Sequence, residues 1–184
     1  MRMMRIRVAV LTVSDKAFRG EREDRSYPAI AEALRGWEGV EFEVRRYEVV
    51  PDEREVIAAK LRELADGGEV DLILTAGGTG LGPRDVTPEA TLEVVERVVP
   101  GIPEAMRAES LKATPAGMLS RAVSGIRGRT LIINLPGSPK GAKECLEAIL
   151  PAIPHAVEVL RGEVGDHQAP SYRDESPRDG RRGR

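Results

Sequence analysis

Apolar and polar positions along the 184-residue chain fall into two alternating regimes. Residues 6–13 (IRVAVLTV), 71–75 (DLILT) and 130–135 (TLIINL) are short, nearly continuous apolar runs with many β-branched side chains, the pattern of strands buried on both faces. Residues 42–50 alternate and turn apolar at their end, which predicts a further strand. Between these runs, apolar residues recur at helical spacing. Ile30, Ala31 and Leu34 mark a helix over 28–34, with Pro28 in its first turn. Val56, Ile57, Leu61 and Leu64 mark a second, started by Asp52 and Glu53 and closed by Gly67-Gly68. Thr87 as N-cap and Pro88 at the first position predict a third, carrying Leu92, Val95 and Val99 as far as Pro100-Gly101. A short helix over 102–111, a helical turn with a strand near 122–126, and closing helices over 142–149 and 153–160 complete the order.

Strands alternating with helices predict an α/β fold, a mostly parallel sheet with helices on both faces. Residues 1–162 are expected to form one domain. Residues 163–184 hold five acids and five arginines with almost no apolar content, and are expected to be a disordered tail. In such sheets ligands bind beyond the carboxyl ends of the strands. The loops at 14–26, 51–53, 76–85 and 136–141 should meet there, so the chemistry is sought on that edge.

Composition narrows the partners. With six aromatic residues, the core must be built from Val, Ile, Leu and Ala. A net charge of -2 argues against nucleic acid, which calls for a strong basic excess. Phosphate recognition would have to come from local geometry instead of a global field. No apolar run approaches the roughly 20 residues that cross a bilayer, so no membrane is expected, and residues 1–7 lack the apolar stretch of a signal peptide. Cys145 is the single cysteine, which rules out an intramolecular disulfide and suits a reducing cytoplasm.

The strongest motif is Gly77-Gly78-Thr79-Gly80, between a strand and a helix. Glycines let consecutive backbone N–H groups close around an anion, and Thr79 adds a hydroxyl donor. No Gly-Lys-Ser or Gly-Lys-Thr occurs, so this is no Walker loop, and the glycine spacing misses the dinucleotide fingerprint. Arg84 can pair with phosphate. Asp85 beside an anion site is electrostatically awkward unless a divalent cation joins them. Mg²⁺ does so, held by one or two carboxylates plus substrate phosphates, with Asp52 on the same edge as the second carboxylate. In the second loop, Pro136, Gly137 and Ser138 precede a helix and can offer amides and a hydroxyl to a polar ligand; a plain turn explains that segment equally well. His155 and His167 lack partners at metal-ligand spacing, and Ser138 is not in a Gly-x-Ser-x-Gly elbow.

These residues resemble a known family. Leu74-Thr75-Ala76-Gly77-Gly78-Thr79-Gly80 followed by Arg84-Asp85-Val86-Thr87-Pro88-Glu89-Ala90 is similar to the signature of the molybdopterin-binding MogA/MoaB family, which includes domains of gephyrin and the plant Cnx proteins. Thr12-Val13-Ser14-Asp15, Asp24-Arg25-Ser26, Val50-Pro51-Asp52-Glu53, Pro100-Gly101, Met118-Leu119-Ser120-Arg121 and Asn134-Leu135-Pro136-Gly137-Ser138 support it by order and spacing. The likeness spans residues 6–162. It implies a three-layer α/β/α sandwich, often a homotrimer or a trimer-based hexamer. It also implies Mg²⁺- and ATP-dependent adenylylation of molybdopterin with release of pyrophosphate, the product passing to a molybdate-inserting partner. By the same resemblance Asp52 and Asp85 handle Mg²⁺ and nucleotide, and Gly77, Gly78, Thr79 and Gly80 hold phosphate. Ser14, Asp24, Ser26, Glu104, Ser120, Gly137 and Ser138 would lie around pterin or nucleotide. Tyr27 stands where the family usually has Gly, and Ala76 where Thr or Asn is commoner. A non-catalytic molybdopterin carrier of the MoaB type is the main alternative. A CinA-like nucleotide domain is a third, although such chains carry an added amidase domain that this length does not accommodate. The paired aspartates favour the transferase, since a pure carrier has no need of both.

Overall fold

The computed structural model describes residues 3–164. Its element order is β1 (Met4–Val13), α1 (Asp15–Phe18), α2 (Ser26–Arg35), β2 (Val40–Val50), α3 (Arg54–Asp66), β3 (Leu72–Ala76), α4 (Thr87–Val94), β4 (Arg97–Val98), α5 (Gly101–Ala113), β5 (Ser124–Arg127), β6 (Thr130–Leu135), α6 (Pro139–Ile149) and α7 (Ile153–Arg161), with 3₁₀ turns at Pro115–Leu119 and Leu150–Ala152. The strands form one sheet in the order β2-β1-β3-β6-β5-β4. The first four of these neighbours pair in parallel, and β5 and β4 add on antiparallel.

The continuous apolar runs follow from burial on both faces. Along β1, Ile6, Val8 and Val10 pack with Leu72, Leu74, Leu131 and Ile133 under Ile30 and Leu34 of α2, Leu146 of α6 and Val157 of α7. The alternate residues Ala9, Leu11 and Val13 pack with Ile73 and Ile132 on the opposite face, against Ile57 and Leu61 of α3 and Val94 of α4. Two apolar layers flanking one sheet make the expected three-layer α/β/α sandwich. Asn134 sits fully buried in the sheet; its Nδ2 donates to Thr75 Oγ1 (3.0 Å) and Thr91 Oγ1 (2.9 Å), and its Oδ1 accepts from Val123 N (3.2 Å). That network ties β3, β6 and α4 together directly behind the glycine loop.

Several local expectations are corrected. The loop expected at 14–26 begins with the helical turn α1, because Ser14 Oγ accepts from Ala17 N (3.2 Å) and caps it. Thr87 is not the N-cap of α4: Val86 holds that position, and the Thr87 side chain is turned inward to the glycine loop. Nor does α4 run on to Pro100. It stops at Val94, and β4 pairs with Gly125 and Ile126 of β5. Val95 and Val99 sat at helical spacing, but a β-branched pair can serve either state, and here cross-strand pairing decides. The strand near 122–126 is shifted to Ser124–Arg127 and forms a hairpin with β6 through Gly128, at φ +57°. Helix α3 starts at Arg54 with Glu53 as its N-cap, which leaves the Asp52 carboxylate for other work. Helix α7 ends at Gly162 in the left-handed conformation. The tail expected over 163–184 lies, from residue 165 onward, outside the described residues.

Candidate functional site

The parallel strands β1, β3 and β6 all point their carboxyl ends at one edge, and a cavity of about 770 Å³ opens there. Its lining comes from the loops after β1, β2, β3 and β6, among them Ser14, Asp24, Ser26, Asp52, Gly77, Gly78, Asp85, Gly137 and Ser138. These residues, drawn from four separate stretches of sequence, are brought together by the parallel topology.

The floor is the glycine turn. Gly77 and Gly78 have φ +105° and +70°, a conformation that costs other residues about 1–2 kcal/mol. Space is equally decisive. A Cβ on Gly77 would lie 2.3 Å from Val13 O, and one on Gly78 would lie 2.2 Å from Thr87 Oγ1. Thr87 Oγ1 donates to Gly77 O (2.9 Å) and Thr87 N to Gly78 O (3.2 Å), so the buried first turn of α4 holds the loop from behind. Gly137 presses on the same turn; its Cβ would sit 3.2 Å from Gly77 Cα. Ser138 Oγ accepts from Gly141 N (3.0 Å), capping α6, and its hydroxyl proton remains available to a ligand.

Two carboxylates face this floor, and each is pinned by one oxygen only. Asp52 Oδ2 accepts from Asp15 N (2.9 Å), while Asp52 N donates to Asp15 Oδ1 (3.0 Å). Asp52 Oδ1 makes no hydrogen bond within the described chain and lies 3.3 Å from the position of a Gly78 Cβ. Asp85 Oδ2 accepts from Gly82 N (2.9 Å), leaving its Oδ1 free among the described residues. Burial first, then the negative charges of Asp15 and Asp85, push the Asp52 carboxyl above its ordinary value against the opposing Asp15 N–H. The positive charge of Arg84 opposes this only weakly, because Arg84 is engaged elsewhere. It donates from Nε and Nη2 to Asp15 (2.7 and 3.1 Å) and holds that carboxyl below its ordinary value. Two hard oxygens without an ion-pair partner form a donor set that suits a divalent cation completing its shell with water and phosphate. Among the described residues no group of three or more His, Cys, Asp or Glu is arranged to hold a metal unaided.

Asp24 is different. Its two oxygens accept from Ser26 N and Oγ (3.0 and 2.6 Å), Tyr27 N (3.4 Å), Thr12 Oγ1 (2.6 Å) and the Tyr47 hydroxyl. Burial pushes its carboxyl up, but these bonds together outweigh burial and hold it below its ordinary value. Tyr27, the residue in the family's Gly position, is not part of the lining; its ring stacks on Tyr47, with centroids 3.9 Å apart and planes 12° from parallel.

The remaining expected site residues lie elsewhere. Thr79 is buried, and its carbonyl accepts from Arg121 N (2.9 Å). Gly80 O accepts from Arg121 Nε (2.7 Å). Glu104 lies in the first turn of α5, Ser120 O accepts from Arg107 (3.2 Å), and Pro136 packs beside Gly141; none of the three lines the cavity. Sequence reasoning missed Arg121 as a structural member. Its guanidinium bonds Gly80 O, Asp85 O (2.6 Å) and Glu89, and so spans both ends of the loop that carries Asp85. It also gave no role to Asp15 or Arg25, quoted only within the family motifs, nor to Arg22; both arginines line the cavity from the charged segment after β1. The only available signals were that loop's unusual length and its place after a buried strand.

The family model described as probable molybdopterin binding domain matches residues 9–155. A molybdopterin adenylyltransferase of Helicobacter pylori (strain J99) is 47% identical over 162 residues, covering 87% of this chain and 90% of the relative. The Escherichia coli (strain K12) protein of the same name is 38% identical, covering 96% and 97%. Among solved structures, the molybdopterin biosynthesis enzyme MoaB of Thermus thermophilus superposes with a TM-score of 0.79 at 58% identity, covering 85% of this chain and 97% of that one.

Proposed function

This chain belongs to the molybdopterin-binding domain family, and from that membership we propose that it is an enzyme of molybdenum cofactor biosynthesis that adenylylates molybdopterin, with Mg-ATP as donor and pyrophosphate as product. The observation that carries the reading is the pair of half-pinned carboxylates, Asp52 and Asp85, on the wall of a pocket floored by glycine amides. A site that only held an anionic pterin would gain nothing from two unpaired acids; a site that joins two phosphates has use for both.

In this reaction an oxygen of the pterin's phosphate attacks the α-phosphorus of ATP. A new P–O bond forms, the bond from the α-phosphorus to the α–β bridging oxygen breaks, and pyrophosphate leaves with that electron pair. The difficulty is the approach of two anions, so positioning and fixed dipoles supply most of the acceleration. The amides around Gly77 and Gly78, with the Ser138 hydroxyl, bind and orient phosphate oxygens. Asp52 and Asp85 would hold Mg²⁺ through their free oxygens; when bound, it supplies neutralising charge between the reacting phosphates. Asp15 fixes Asp52, and Arg121 fixes the backbone that carries Asp85. No covalent nucleophile is needed.

The same membership suggests a homotrimer that passes its product to a molybdate-inserting partner. Exposed apolar side chains, Val98 on the edge strand β4 and Met118 and Leu119 on the 3₁₀ turn, support an assembly. Sedimentation velocity tests it.

The activity is tested by incubating molybdopterin and Mg-ATP with the wild type and with Asp85→Asn. Pyrophosphate release by the wild type is expected, falling by about 10²-fold or more in the variant while pterin binding persists. Tight pterin binding without pyrophosphate release by the wild type would overturn the enzyme reading in favour of a carrier.

A further inference from the structure

The segment between α1 and α2 contributes charged side chains to the pocket that neither the glycine turn nor the two aspartates account for. Arg22 and Arg25 both line the cavity. Among the described residues neither makes an ion pair or a side-chain hydrogen bond, although their neighbours do: Arg19 holds Glu21 at 2.9 Å within the same segment, and Arg84 holds Asp15 at 2.7 Å. The cavity is otherwise acidic, with Glu23, Asp24, Asp52 and Asp85 in its wall, so an anionic ligand depends on these two guanidiniums for opposite charge from side chains.

The segment is also built to stay where it is. Asp24, between the two arginines, has both carboxylate oxygens saturated by the chain's own donors, which come from β1 (Thr12), α2 (Ser26, Tyr27) and β2 (Tyr47). It has no oxygen left for a ligand and works as a strut. The Tyr27–Tyr47 stack braces that strut from outside. Arg22 and Arg25 therefore leave the chain on either side of a fixed point in the cavity wall, so the backbone that carries them needs little reordering when an anion binds.

We propose that Arg22 and Arg25 form a second anion subsite, on the β1 side of the pocket, that takes the terminal phosphates of the nucleoside triphosphate, with Asp24 and Tyr47 as positioning residues. This rests on the reading of the pocket as a nucleotide site. Phosphate could also come from the pterin's monoester. The geometry favours the polyphosphate: two forked guanidiniums match a chain with many non-bridging oxygens, whereas the compact glycine turn suits a single phosphate group. Pyrophosphate, once formed, would rest on the same two arginines.

The test measures binding by calorimetry, apart from turnover. Inorganic tripolyphosphate and, separately, phenyl phosphate are titrated in the presence of Mg²⁺ into the wild type, the double variant Arg22→Gln/Arg25→Gln, and Tyr47→Phe. Both arginines are exposed, so the double variant should melt with the wild type. The double variant is expected to bind tripolyphosphate about 10-fold or more weakly, and phenyl phosphate within about twofold of wild type. Tyr47→Phe should weaken tripolyphosphate by about threefold and raise KM for ATP with kcat little changed. Tripolyphosphate binding within twofold of wild type in the double variant overturns the subsite, as does selective loss of phenyl phosphate, or a wild type that does not bind tripolyphosphate. An arginine-dependent tripolyphosphate site in a wild type that releases no pyrophosphate would leave the subsite standing while the adenylylation reading falls.

Discussion

Gly78→Ala separates backbone conformation from crowding at the floor of the pocket. Gly78 has φ +70°, and an alanine there must adopt a left-handed conformation at about 1–2 kcal/mol. Its Cβ would also fall 2.2 Å from Thr87 Oγ1, a fully buried hydroxyl that donates to Gly77 O at 2.9 Å. Either the hydroxyl moves and leaves a buried carbonyl unpaired, or the turn moves; both carry roughly a further 1–3 kcal/mol. Gly68 is the internal control, with φ +72° and nothing within 4 Å of its would-be Cβ. Gly68→Ala should therefore lose only the conformational part. Urea unfolding monitored by circular dichroism should place Gly78→Ala about 2 kcal/mol below Gly68→Ala, at unchanged m-value. The same Cβ would sit 3.3 Å from Asp52 Oδ1, so adenylylation should fall by about tenfold or more in Gly78→Ala and stay at wild-type level in Gly68→Ala. Equal stabilities for the two variants, within about 0.5 kcal/mol, would refute the claim that Thr87 braces the loop rigidly.

Further outcomes concern the groups around the pocket and at the opposite end of the sheet. Asp52→Asn should abolish most activity yet melt no lower than wild type, because it removes a charge that burial and two neighbouring acids already disfavour; a clear drop in Tm would count against that electrostatic account. Arg121→Lys keeps one charge but cannot span Gly80 O, Asp85 O and Glu89 together, so kcat should fall by about tenfold with KM for pterin little moved, and loss of KM alone would argue otherwise. Asn134→Leu strands Thr75, Thr91 and the Val123 N–H in the core and should lose about 2–4 kcal/mol by urea unfolding. At the other end of the sheet, Asp71 is held by Arg7 (2.9 Å) and Arg161 (2.8 Å). Burial pushes its carboxyl up, but the two arginines outweigh burial and hold it well below the usual range. Its stabilisation is thus full above the unfolded value of about 3.9 and lost as pH falls through the lower folded value. Asp71→Asn should lose about 3 kcal/mol at neutral pH and show a shallower decline below pH 4; an unchanged acid limb would contradict the assignment.

The buried strands were legible because burial on both faces leaves a continuous apolar run that little else produces. The glycine turn was legible because Gly77 and Gly78 announce a backbone that other residues cannot adopt. The end of α4 was not, since Val95 and Val99 fit a helix until β5 pairs with Arg97 and Val98 between them. Asp52 and Asp85 could be singled out as chemical residues, but Thr87 looked like a cap and proved to be a brace. Arg121, 36 residues from the Asp85 carbonyl it holds, carried no local sign of its task.

Local order is set by interactions a few residues apart, so periodicity and turn chemistry alone determined the buried parallel strands, most helices and the glycine loop. Which residues face one another across the pocket depends on strand order and register, contacts between residues far apart in sequence. Only the tertiary structure could bring Asp15 to Asp52, Arg84 to Asp15 and Tyr47 to Asp24, because each of those bonds exists only once β2, β1 and β3 lie side by side.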